Sequence, residues 1–310
     1  SIVVDKVFPQ YKCEGSISDT LKSNIREKIC GLTLAHMTGV TRNAIDSIIA
    51  SAYLGLTNVA IFNNYFYVQS AISRFMHIFT SSIIAGIGNS IAIDTVEKNY
   101  SDLRKLSFLY MWLANCLASC MACFYQPFML LWVGNACVLP HHTMFLFVLY
   151  FLLLKLGDIP FQYFSASGFW WKRKNYYIAE MIMNILLNLI LGYYFGLDGI
   201  VISTLCTIIF IGYVGSTTIL FKNYFKKPIF AYYKEQFLIL FIGIIITLAC
   251  SIGSDYIYNQ YGQLTGFIIV LPIAIFIPSL LMFAFYRKSQ LYQETLSWLL
   301  PRLQHHKINN

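Results

Sequence analysis

Three cationic side chains, Arg42, Arg74 and Lys155, stand inside otherwise apolar sequence, and each has polar company at helical spacing. Arg42 lies four residues before Asp46, close enough on a helix for the two to pair and partly neutralise each other. Asn63, Tyr67, Ser70, Arg74, His77 and Ser81 follow one another at alternating spacings of four and three, beside Asn64. That pattern draws a continuous polar stripe along one face of a helix. Lys155, Asp158 and Gln162 share a face beside Pro160, and Glu180, Asn184 and Asn188 share another. Ionisable groups surrounded by hydrocarbon are costly unless they face water or protein, which makes each a functional candidate. A polar stripe as long as 63–81 therefore faces a water-filled cavity or partner helices, not lipid. Guanidinium groups in such a cavity suit phosphate oxygens. The structural alternatives are an ion pair joining helices at Arg42 and Asp46, polar helix packing along the stripe, and a self-satisfied Lys155–Asp158 pair.

Bond-making chemistry is not written into the chain. There is no Gly-rich phosphate loop, Ser/His/Asp arrangement or zinc spacing, so no catalytic residue, metal or cofactor is expected. Cys116, Cys120 and Cys123 have the spacing of an iron–sulfur ligand set. They lie within the apolar run NCLASCMACF, without the loop such a cluster requires, and are read as small hydrophobes. Asn99-Tyr100-Ser101 is a glycosylation sequon on the side read below as cytoplasmic, where it is inert.

The elements that position these residues are membrane spans. The 310 residues are 57% hydrophobic and 12% charged, against about 25% charged in soluble domains. Eight apolar segments, at about 30–54, 58–92, 104–131, 141–168, 175–195, 198–221, 234–252 and 264–286, approach or exceed the roughly 20 residues of a spanning helix. The second and third are long enough to tilt or to run out of the bilayer. Pro127, Pro160, Pro272 and Pro278 mark kinks or ends. Residues 1–28 form a polar lead-in, in which Ser18 or Asp19 caps an interfacial helix carrying Leu21, Ile25 and Ile29 on one face. The tail at 289–310 reads as a second interfacial helix.

The net charge of +8 is organised as topology, not as a nucleic-acid footprint. Basic residues precede the first span, then cluster around Lys98–Lys105, Lys172–Lys174 and Lys222–Lys234, and follow the eighth span from Arg287. The alternate connections, 55–57, 132–140, 196–197 and 253–263, hold no Lys or Arg. The positive-inside rule then puts both termini in the cytoplasm. The expected fold is an all-α polytopic membrane protein.

At this level of detail the chain resembles bacterial polysaccharide biosynthesis transporters, the lipid-linked oligosaccharide (O-antigen type) flippases of the multidrug/oligosaccharidyl-lipid/polysaccharide exporter superfamily. The resemblance is carried by NAIDSIIASAYLGLTNVAIFNNYFYV at 43–68, SSIIAGIGNSIA at 81–92, QPFMLLWVGN at 126–135 and ASGFWWKRKNYYIAEMIMNILLNLILGYYFGLDGIVISTL at 166–205, with FPQYK at 8–12. It implies a fourteen-helix protein of two six-helix lobes and two added helices. This chain would supply the second lobe (29–221), the two added spans (222–288) and the tail, as the C-terminal portion of a longer protein; its opening at Ser1 fits that expectation. The resemblance implies a bacterial cytoplasmic-membrane flippase that turns an undecaprenyl-pyrophosphate-linked oligosaccharide outward by alternating access, with the missing N-terminal lobe as partner. The cavity role is expected of Arg42, Asp46, Asn63, Asn64, Tyr67, Ser70, Arg74, His77, Lys155 and Asp158. Asp46 is the charge partner or coupling carboxylate among them.

Three other functions compete. A cation-coupled multidrug antiporter of the same fold would carry a cavity of net negative charge, against which Arg42, Arg74 and Lys155 weigh. A membrane glycan polymerase or acyltransferase would need catalytic groups outside, where the segment GSDYIYNQYGQ offers Asp255 alone as a carboxylate. A non-catalytic scaffold is the fourth, since a lone lobe has no second lobe to move against.

Overall fold

The computed structural model describes residues 16–308, and these are helical with short connections and no strand. The lead-in motif at 8–12 lies outside the described residues. The helices are α1 (Asp19–Ile93), α2 (Val96–Val133), α3 (His141–Ala166), α4 (Lys174–Thr207), α5 (Val214–Leu220), α6 (Phe230–Tyr261), α7 (Gln263–Tyr286) and α8 (Gln290–Ile308). Two π-helical stretches, Ile208–Tyr213 and Phe221–Phe225, flank α5. Six of the helical segments are long and apolar enough to cross a bilayer, so this is a multi-pass all-α membrane protein.

Straight, the 75 residues of α1 would reach about 110 Å, several times the roughly 30 Å hydrocarbon thickness. They do not run straight. Gly55 has φ 79° and ψ 167°, a conformation open essentially to glycine, and the chain turns back there. In consequence Asp46, before the turn, lines the same small cavity as Phe62 and Phe66, after it. Gly196 (φ 59°, ψ −130°) does the same for α4, bringing Asn188 onto Ser203 and Asn184 onto Thr204. We call the halves of α1 its first and second arms.

Expected boundaries fail where nothing stops a helix. Ser18 caps α1 by accepting from the Leu21 amide at 3.3 Å, but the lead-in helix continues unbroken into the apolar run. Leu21, Ile25 and Ile29 are exposed. The supposed outer connection 253–263 is mostly helical, because α6 meets no breaker before Gly262 (φ 78°). Pro127, Pro160, Pro272 and Pro278 all sit inside helices. His141 opens α3 behind an N-capping Pro140, as the sequence suggested.

The first arm packs on α4, and the second arm packs on α2 and α3. Along the second arm Phe62, Tyr65, Gln69, Met76, Thr80 and Ile87 are buried, a period that marks one inward face. Tyr65 anchors the end of this arm near the Gly55 turn. Its hydroxyl donates to Gln126 Oε1 (2.5 Å) and accepts from the Leu139 amide (3.0 Å), while Gln126 Nε2 donates to the Leu139 carbonyl (2.6 Å).

The pair α6–α7 packs on α2. In lipid the hydrophobic effect does not drive helices together, so packing and interhelical hydrogen bonds decide, each bond worth about 0.6 kcal/mol. Here Ser107 pairs with Tyr232 (3.0 Å), Ser119 with Thr247 (3.0 Å), and Asn115 donates to the Ile239 carbonyl (3.3 Å). Arg104 forks onto both oxygens of Glu235 (2.9 and 2.6 Å), with Glu294 of α8 beyond it at 3.8 Å.

Candidate functional site

The residues singled out by spacing separate into three places. The first is a buried polar network between the first arm of α1 and both halves of α4. Asp46 is its centre. Asn188 Nδ2 donates to Asp46 Oδ1 at 2.7 Å, and the Thr204 hydroxyl lies 3.1 and 3.0 Å from the two oxygens. Asn188 in turn accepts from Ser203, and Asn184 reaches Thr204 (3.2 Å) and Thr207 (3.5 Å). The face Glu180–Asn184–Asn188 meets Ser203, Thr204 and Thr207 because the turn at Gly196 folds one half of α4 against the other. All of these side chains are buried, so each polar atom depends on its neighbours.

One helical turn from Asp46, Arg42 does not pair with it. Its Nη1 donates instead to Glu180 Oε1 at 3.3 Å. The sequence offered Asp46 as partner by spacing, but Asp46 is taken up by Asn188 and Thr204. Arg173 is the second cation on Glu180: its Nη2 donates to Oε2 at 2.8 Å and to the Gly212 carbonyl at 3.0 Å, and its guanidinium stacks over the Tyr177 ring at 4.2 Å. Gly212 lies in a π-helical stretch, and its carbonyl also accepts from the Ser216 hydroxyl at 2.8 Å. Arg173 and Glu180 are buried, whereas 19% of the Arg42 side chain is exposed. An open cavity of about 240 Å³ adjoins this cluster, lined among others by Arg42, Arg173, Glu180, Tyr177 and Asp158.

The second place is the pair Lys155–Asp158 on α3. Lys155 Nζ lies 2.7 Å from Asp158 Oδ2, and the Tyr110 hydroxyl donates to the same oxygen at 2.6 Å. Lys155 is buried and its charge is spent on Asp158. Of the expected cavity residues, Arg42 and Asp158 share a cavity; Lys155 stands behind Asp158.

The third place is the stripe on the second arm of α1. Asn63, Tyr67, Arg74, His77 and Ser81 are exposed, and Asn64 and Ser70 are half-buried. The stripe lies away from the buried Tyr65–Met76 face, and of its members Tyr67 meets a neighbouring helix, its ring 6.3 Å from that of Trp132 on α2. Arg74 stands 5.8 Å from the centre of the Tyr67 ring, within cation–π reach, and among the described residues no carboxylate pairs with it. Arg42 and Arg74 thus belong to different environments, one inside the bundle and one on its surface.

Arg173 was legible only as one of a cluster of topology-setting charges, and nothing in its spacing pointed to Glu180. The Ser203, Thr204 and Thr207 hydroxyls carried a weak signal as a small polar face on an apolar run. Among the described residues no group of His, Cys, Asp and Glu is arranged to hold a metal ion. No protein-family model matches the chain, and no curated protein or solved structure matches it.

Proposed function

We propose that the chain is one lobe of a transporter that moves a lipid-linked, phosphate-bearing oligosaccharide across the membrane, with the second arm of α1 facing the substrate path. The observation that carries this reading is the exposed stripe Asn63–Tyr67–Arg74–His77–Ser81 on an arm whose other face is packed. An unpaired guanidinium on lipid-exposed surface is expensive, so this face is matched in the membrane by water or protein. A positive face with amide, hydroxyl and aromatic groups suits a pyrophosphate joined to sugars. The resemblance in residues 43–205 supports the same substrate class.

The turns at Gly55 and Gly196 divide two of the six long apolar segments, which supports eight crossings: six in the lobe and two added by α6 and α7. The distribution of Lys and Arg supports cytoplasmic termini. Asp46 is the coupling carboxylate in this reading. It is buried, and it ties the first arm of α1 to both halves of α4 through Asn188 and Thr204, so a change in its charge would change how three helical segments hold together. The lobe that closes the substrate path is the partner required by this account.

The test is surface glycan export by cells whose only copy carries Arg74→Ala. Loss of export with normal membrane insertion supports the reading, and normal export by this variant overturns the role of the stripe.

A further inference from the structure

We propose that the groove beneath α8 binds one acyl chain of a bilayer phospholipid with an anionic headgroup. The groove offers about 470 Å³ and has three walls. Phe108, Trp112 and Cys116 line it from α2, Ile275 and Ser279 from α7, and Leu296 from α8. From Phe108 to Cys116 helix α2 rises about 12 Å, so the groove follows the apolar span inward. The start of α8 is fixed to the bundle. The Tyr292 ring lies 5.9 Å from those of Trp112 and Phe283, and Glu294 lies 3.8 Å from Arg104. No residue of the groove belongs to the stripe or to the Asp46 network, so the proposal rests on membrane character and not on transport.

The walls select the occupant. The Ser279 hydroxyl accepts from Trp112 Nε1 at 3.3 Å, and the Thr295 hydroxyl donates to the Leu291 carbonyl at 2.6 Å. With both engaged, the groove offers water few partners, and left empty it forfeits the contacts of its lining atoms. Leu271, Ile275, Phe276, Leu280 and Phe283 are exposed along α7, a surface that meets hydrocarbon in a membrane. Lipid tails are as apolar as leucine, so a chain from that hydrocarbon fills the groove. The headgroup is selected at the junction of α7 and α8. Arg287 and Lys288 are exposed there, and among the described residues neither pairs with a carboxylate. Basic side chains at a membrane surface attract anionic lipids, about fivefold for each charge. Tyr292, on the groove wall in the first turn of α8, is of the amphipathic aromatic kind that gathers where headgroups and chains meet.

The experiment reads tryptophan fluorescence of the full chain in phosphatidylcholine nanodiscs doped with lipid brominated on its acyl chains, a contact quencher. One protein keeps Trp112 alone, with Trp132, Trp170, Trp171 and Trp298 changed to Phe; a second keeps only the exposed Trp132, as a reporter of ordinary bilayer contact. Brominated phosphatidylglycerol should quench Trp112 at about one-fifth or less of the mole fraction that brominated phosphatidylcholine requires. Trp132 should not distinguish the two lipids. Arg287→Gln with Lys288→Gln should remove the preference while quenching by abundant phosphatidylcholine persists. Cys116→Phe fills the inner end of the groove and should abolish the preferential quenching. If it does not purify, Ile275→Phe, on the exposed face of α7, narrows the groove and should weaken it. Three results overturn the proposal: Trp112 unquenched by either lipid, which means protein seals the groove; equal quenching by both lipids; or quenching unmoved by the groove-filling variants. A preference that survives loss of both charges overturns the headgroup assignment.

Discussion

Removing Glu180 should destabilise the lobe more than removing either arginine that binds it. Glu180→Ala leaves two guanidinium groups with no carboxylate between them, and Arg173 is buried with 6% of its side chain exposed. Breaking a buried pair by deleting one partner costs about 3–5 kcal/mol, mostly as the penalty of the stranded charge. Arg42, with 19% exposed, can regain water, so the lower end of that range applies. At about 2–4 °C per kcal/mol, a loss of about 3 kcal/mol lowers the melting temperature by about 6–12 °C. Arg173→Gln should cost less, since Glu180 keeps Arg42 while the Gly212 carbonyl loses a donor. Arg42→Gln should cost least, since the 2.8 Å bond from Arg173 survives. The assay is loss of the monodisperse peak in detergent after heating, followed for the three variants in parallel. A Glu180→Ala protein melting within about 2 °C of the parent, or an Arg42→Gln protein melting below it, would refute the shared-carboxylate geometry.

Other expectations follow from the same geometry. Gly55→Ala forces a side chain into a conformation costing about 1–3 kcal/mol, whereas Gly86→Ala, at a helical site with open space, should be neutral or slightly stabilising; melting temperatures compare the two. Asp46→Asn keeps the size of the side chain, so the protein should insert and purify normally while glycan export is lost; retained export would remove Asp46 from the coupling role. At the turn between α1 and α2, Lys98 and Ser90 bind the Asp94 carboxylate and hold it below the usual carboxylate range. The contribution of this turn is therefore full at neutral pH and fades only as acid protonates Asp94, below the ordinary value near 3.8. Hydrogen exchange of this turn should show that acid dependence in the parent and not in Asp94→Asn.

The membrane character and helical class were plain in composition and run length, because crossing hydrocarbon leaves a helix little choice. Both chain reversals were also legible, as gaps at 55–57 and 196–197 each containing a glycine. Helix ends were less so: α6 passes through Ser254 and Asp255 to Gly262, since polar residues outside hydrocarbon do not by themselves stop a helix. The site divides in the same way. The Lys155–Asp158 pair and the stripe at 63–81 depend on spacing within one helix, and both could be read directly. The partners of Arg42 and Asp46 come from α4, more than 130 positions away, where helical spacing carries no information. Glu180, Asn184 and Asn188 were visible as a polar face, but not what they would meet.

The central claim is that the exposed face of the second arm meets a water-filled substrate path. Single cysteines at Asn63, Tyr67, Arg74, His77 and Ser81, in a protein with its eight native cysteines replaced, can be challenged with a membrane-impermeant maleimide in cells and in inverted vesicles. Cysteines at Tyr65 and Met76, on the packed face, are the controls. The account predicts labelling at the stripe, none at the controls, and protection of Arg74→Cys and its neighbours by added lipid-linked oligosaccharide. A stripe as unreactive as the packed face would contradict it.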